Sequence, residues 1–81
     1  MSAALLSDVA EYDLRGLNCP LPVLKTQKRL KSMASGERLW VRTTDPLAVI
    51  DIPNFCREKG HALLATEATE DGHRFLIARG A

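Results

Sequence analysis

No run of apolar residues in this chain exceeds five, far short of the roughly 20 that cross a bilayer as a helix, so no membrane span is expected. Cysteine is nearly absent. Cys19 and Cys56 are the only two, too far apart to form a C-x-x-C pair. Neither a disulfide framework nor a thioredoxin-type dithiol is implied, and a reducing compartment, the cytoplasm, is expected. Two histidines, His61 and His73, supply none of the short ligand pairs that zinc sites use, so no metal is expected. Nor is a cofactor expected, because one small domain leaves no room for separate cofactor and substrate domains. Aromatic side chains number four, and eleven basic residues face ten acidic ones for a net charge of +1, which predicts no strong preference for nucleic acid. The stretch Met1–Ser7 lacks a basic segment and does not read as a secretory signal.

What is present belongs to an ordinary globular domain: 46% hydrophobic and 26% charged residues in a chain of 81. Residues 1–8 are expected to be a flexible tail and residues 9–81 a single domain. Glu11–Arg15 alternates polar and apolar residues, a half-buried strand with Tyr12 and Leu14 inward. Cys19-Pro20-Leu21-Pro22 then opens a helix, since proline is tolerated in a first turn whose N–H groups lack helical partners. Val23, Gln27, Leu30 and Ala34 share one side of it, flanked by Thr26 and Met33, with Lys25, Lys28 and Arg29 opposite. Gly36 is the expected C-cap.

Glu37–Thr43 is the next strand, with Leu39 and Val41 on one face and Arg38, Trp40 and Arg42 on the other. Asp45-Pro46 and Asp51-Ile-Pro53 both read as helix starts. They predict either a short turn and a helix of about two turns or one kinked helix. Val49, Ile52, Phe55, Cys56 and Lys59 have the spacing of one face, with Gly60 closing the helix. His61–Thr69 and His73–Arg79 are two strands joined through Glu70-Asp71-Gly72, with Asp-Gly as the tight turn. The order β-α-β-α-β-β predicts an α+β fold: a two-layer α/β sandwich with a four-stranded mixed sheet covered on one face by two helices.

Cys19 falls at or just before a helix N-terminus, where unpaired amides and the helix dipole favour an anion and lower a thiol pKa. Pro20 and Pro22 stiffen the loop. Cys19 is then either a reactive thiol or a helix-cap residue without chemistry. No histidine neighbours it in sequence, as a cysteine hydrolase would need, and Pro22 occupies the place of a second redox cysteine. That combination favours carrying a group over turning over a substrate. Cys56 reads as a core residue, with a resolving thiol for Cys19 as the alternative. His61 and His73 read as exposed strand-end residues.

The stretch Asp13-Leu-Arg-Gly-Leu-Asn-Cys-Pro-Leu-Pro22, followed by Thr44-Asp-Pro46, Asp51-Ile-Pro-Asn-Phe-Cys56, Arg74-Phe-Leu-Ile77 and Gly80, resembles the TusA/SirA-like family of sulfur carriers over roughly residues 12–80. The resemblance implies that Cys19 is a persulfide-bearing cysteine supported by Pro20 and Pro22. It implies a cysteine desulfurase or rhodanese-like donor and a downstream sulfur-acceptor protein. Sulfur relay to 2-thiouridine in tRNA is one destination it implies; sulfur oxidation and molybdenum-cofactor metabolism are others. Leu21 departs from members that carry an acidic residue between the two prolines, which bears on docking and not on sulfur chemistry.

Lys25, Lys28 and Arg29 either guide an acidic partner or form a solvated helix face. Two other function classes stand beside the carrier. One is a small RNA- or protein-binding module using Trp40, Arg38, Arg42 and Arg74 on the open sheet face. The other is a redox sensor using Cys19 and Cys56. Direct nucleic-acid binding is not expected, and nothing in the sequence demands more than a monomer.

Overall fold

Alternation of polar and apolar residues builds the sheet. A computed structural model describes residues 9–81, and the expected tail, residues 1–8, lies outside them. The elements are β1 (Ala10–Asp13), α1 (Leu21–Lys31), β2 (Arg38–Thr43), α2 (Ala48–Lys59), β3 (Ala62–Ala68) and β4 (His73–Ala78). They form one four-stranded mixed sheet in the order β1-β2-β4-β3. β1 runs parallel to β2, while β4 is antiparallel to both β2 and β3. β2 and β3, joined through α2, therefore point the same way with β4 inserted between them. Leu64 is an extra residue between the Leu63 and Ala65 pairings, a bulge in edge strand β3. Such a bulge discourages pairing with another chain.

Leu39 and Val41 of β2 and Phe75 and Ile77 of β4 are fully buried on the helix-covered face. They meet Leu30 of α1 and Ile52, Phe55 and Cys56 of α2 in a single core. Each such side chain contributes about 1.5–3 kcal/mol by leaving water. The opposite face is ionic. Arg42 pairs with Glu11 at 3.8 Å and with Asp71 at 3.4 Å. Arg74 pairs with Glu11 at 3.6 Å and Glu67 at 2.7 Å while its guanidinium lies 3.9 Å from the Trp40 ring centre.

Several local expectations are corrected. α1 ends at Lys31 with Ser32 as its C-cap, so Ala34 lies beyond the helix. Gly36 instead takes φ +86° in the turn toward β2, where its N–H donates to Arg79 O at 2.8 Å. The buried residues of α1 are Pro22, Thr26 and Leu30, and Val23 and Gln27 are only half-buried. Of the two alternatives for α2, a single helix with Pro53 inside it forms, but its N-cap is Leu47 and not Asp45. Val49 is 37% exposed and Ala48 takes its place in the core. Gly60 does close α2, in a left-handed conformation that glycine adopts without steric cost.

The β3–β4 connection does not use Asp71-Gly72 as a mirror-image turn, because neither residue has positive φ. Gly72 is required for a different reason. A Cβ there would stand 2.0 Å from Thr43 O. Nor are the histidines free. Both are half-buried, and His61 Nδ1 accepts the Gly80 N–H at 2.9 Å with its ring against Phe55. Burial, with Arg79 nearby, holds the His61 pKa below its ordinary value.

Candidate functional site

β1 delivers the chain to the site. Beyond its last residue, the Leu14 N–H donates to Arg42 O at 2.8 Å, and Leu14 anchors the loop in the core. The Gly16 N–H then donates to Thr44 Oγ1 at 2.8 Å, stitching the β1–α1 loop to the end of β2. The Leu21 N–H donates to Asn18 O at 2.8 Å and the Leu24 N–H to Pro20 O at 3.1 Å. Cys19 is exposed and sits one residue before Pro20, the N-cap of α1. The Cys19–Pro20 peptide bond is cis. Pro22 is buried in the first turn.

Two carboxylates from the far side of the groove converge on Cys19. Asp45, which is 9% exposed, accepts the Cys19 N–H at its Oδ2 at 2.6 Å and the Leu47 N–H at its Oδ1 at 3.1 Å. Asp51 stands in the first turn of α2, where the helix dipole favours a carboxylate. Its Oδ2 accepts the Cys19 Sγ–H at 2.9 Å. The hydrogen bond to Asp51, then desolvation and the negative charges of Asp51 and Asp45, hold the Cys19 thiol above its ordinary pKa. The expectation of an anion-stabilising helix end is therefore corrected. Within the first four helical residues, the N–H groups of Leu21 and Leu24 already have partners and Pro22 has none, leaving only that of Val23. Among the described residues no histidine stands beside Cys19, but the Asp51 carboxylate, distant in sequence, does.

A groove of about 350 Å³ opens beside the sulfur. Pro20, Val23 and Gln27 form its α1 wall, while Asp51, Asn54, Phe55, Glu58 and Lys59 form its α2 wall. The helical spacing of both sets puts each on one face. Both helix starts also expose apolar side chains: Leu21 at 43% and Leu24 at 52% on α1, Leu47 at 50% and Ile50 at 57% at α2. Lys25 and Lys28 are exposed on α1, but the Arg29 guanidinium lies 5.0 Å from the Tyr12 ring centre. Arg29 thus has a packing partner within the chain and is only half-exposed.

Cys56 is 2% exposed in the core, and burial pushes its thiol pKa up to about 11. Both cysteines are free. Among the described residues no cluster of three His, Cys, Asp or Glu side chains has the arrangement of a metal site, and no helix is long and apolar enough to cross a membrane. Trp40, Arg42 and Arg74 lie on the opposite side of the sheet from the helices that hold Cys19, with both arginines engaged by carboxylates.

Asp45 and Asp51 are the site residues that sequence reasoning missed. Both lie in stretches conspicuous in the sequence, Thr44-Asp-Pro46 and Asp51-Ile-Pro53. Read as helix starts, they carried no sign that both carboxylates meet at Cys19, Asp45 at its backbone N–H and Asp51 at its sulfur. Comparison with known protein families matches residues 10–79 to the family described as Sulfurtransferase TusA. With that match spanning nearly the whole chain, the protein belongs to the TusA sulfurtransferase family and is a sulfur carrier working between donor and acceptor proteins.

Proposed function

We propose that Cys19 is the sulfur-bearing residue and that it carries its cargo as a persulfide. The observation that supports this most is the contrast between the two thiols. Cys19 is exposed at the mouth of a groove, whereas Cys56 is sealed in the core. A donor persulfide offers its outer sulfur, Cys19 Sγ forms a bond to that sulfur, and the bond to the donor's inner sulfur breaks. The donor leaves as a thiol and Cys19 holds the sulfur until an acceptor thiol repeats the exchange. No external oxidant is needed.

The donor is a cysteine desulfurase or a rhodanese-like sulfurtransferase, and the acceptor is a further sulfur-transfer protein. Leu21, Leu24, Leu47 and Ile50 give such a partner an apolar landing around the sulfur. Lys25 and Lys28 add charge that steers an acidic partner. Two free cysteines accord with a cytoplasmic setting. The D-I-P-x-F-C and R-x-L-I segments resemble the tRNA-thiolation branch of the family, and on that resemblance the relay ends in tRNA 2-thiolation. The test is transfer of radiolabelled sulfur from a desulfurase charged with labelled cysteine. Wild type acquires label that a reductant removes, and Cys19→Ala does not. Equal labelling of Cys19→Ala would refute the assignment.

A further inference from the structure

The Cys19–Asp51 contact has the geometry of a nucleophile and its proton acceptor. Sγ and Oδ2 are 2.9 Å apart at the end of an open groove, within the reach a general base requires. The two groups come from different helix starts. Asp51 is fixed by the first turn of α2, where its N–H donates to Leu47 O at 2.9 Å. Cys19 is held by the Asp45 bond to its backbone. Among the described residues, the charged groups around the sulfur and along the groove are on the α2 side: Asp45 and Asp51 close by, then Glu58 and Lys59 farther along. The α1 wall contributes only Pro20, Val23 and Gln27. Of the charged groups, Asp51 is the one that accepts the thiol hydrogen bond.

We propose that Asp51 is a catalytic residue, the base that keeps Cys19 as a hydrogen-bonded thiol between transfers and takes its proton when sulfur is captured. This rests on the reading of Cys19 as the persulfide carrier. In the step, the Sγ–H bond breaks and the proton passes to Asp51 Oδ2 as Sγ attacks the outer sulfur of the donor persulfide. The electron pair of the breaking S–S bond leaves on the donor's inner sulfur. The products are the Cys19 persulfide, the donor thiolate and neutral Asp51, which returns its proton to that thiolate. One S–S bond replaces another, so no oxidant or reductant enters. At rest the arrangement also protects the exposed sulfur, since thiols are far poorer nucleophiles than thiolates.

Asp51→Asn separates the two halves of this role. Removing the negative charge makes Cys19 easier to ionise, so the midpoint of its iodoacetamide alkylation moves to lower pH. Sulfur capture from a persulfidated cysteine desulfurase nevertheless slows by about 100-fold in single turnover at neutral pH, a rate change within the range a positioned base supplies. Asp51→Glu restores most of that rate. A purely electrostatic or structural role would not move alkylation and transfer in opposite directions. If Asp51→Asn captures sulfur as fast as wild type, or faster, Asp51 is not the base and the carrier reading survives. If wild-type Cys19 acquires no sulfur, both fail.

Discussion

The Asp45 carboxylate holds the Cys19 backbone in place, accepting its N–H at 2.6 Å while its other oxygen takes the Leu47 N–H at 3.1 Å. One buried side chain thus fixes the start of α1 relative to the start of α2. The bonds are charge-assisted and largely withdrawn from solvent. Asp45→Ala is expected to cost about 2 kcal/mol, read from the urea unfolding midpoint, and to loosen the loop that presents Cys19. An unchanged midpoint would show that other contacts hold it.

The alkaline limit of stability should carry the signature of Cys56. Its folded pKa, about 11, lies above the ordinary 9.0 because the thiolate would have to form in the core. The unfolded chain ionises first, so this contribution is complete below pH 9 and is lost as pH rises toward 11. Urea unfolding of wild type and Cys56→Ala between those limits should converge with rising pH. Parallel curves would remove Cys56 from the cause.

Gly72 tests whether the β3–β4 connection is set by contact with β2 or by turn conformation. A methyl group at this position meets the Thr43 and Thr44 backbone, which has no rotamer to move aside. Gly72→Ala should cost about 3 kcal/mol by overpacking, measured by denaturant unfolding. A near-neutral effect would mean that the connection shifts freely.

The apolar side chains around Cys19 offer a test of docking that leaves the chemistry intact. Leu24→Asp and Ile50→Asp lie on opposite helix starts and are both exposed. Each should weaken saturation by a desulfurase about tenfold, the loss of a well-packed contact worth somewhat over 1 kcal/mol, without altering Cys19 alkylation or the unfolding midpoint. Lys25→Glu with Lys28→Glu should lower the association rate and its salt dependence. Unaffected transfer in all of these variants would place the docking surface elsewhere.

Much of this architecture was legible because the local signals agree. Leu39 and Val41 against Arg38, Trp40 and Arg42 is a period-2 pattern that the structure keeps unchanged. Gly60 ends α2 where its backbone freedom is needed. Failures arose where tertiary contact overrode local preference. Gly36 serves the turn into β2, not the helix end, and Gly72 is small because β2 passes beside it. At the site, the position of Cys19 before a helix was readable, but its electrostatics were not. A helix end lowers a thiol pKa when its amides face the sulfur. Here the sulfur faces Asp51, 32 residues away in the chain.

The most direct test of the central claim is peptide-mapped mass spectrometry after incubation with a cysteine desulfurase, cysteine and pyridoxal phosphate. The expected result is a gain of one sulfur on the peptide containing Cys19, reversed by reductant, in wild type and Cys56→Ala but not in Cys19→Ala. Sulfur on the Cys56 peptide alone, or a Cys19–Cys56 disulfide in place of any gain, would contradict it.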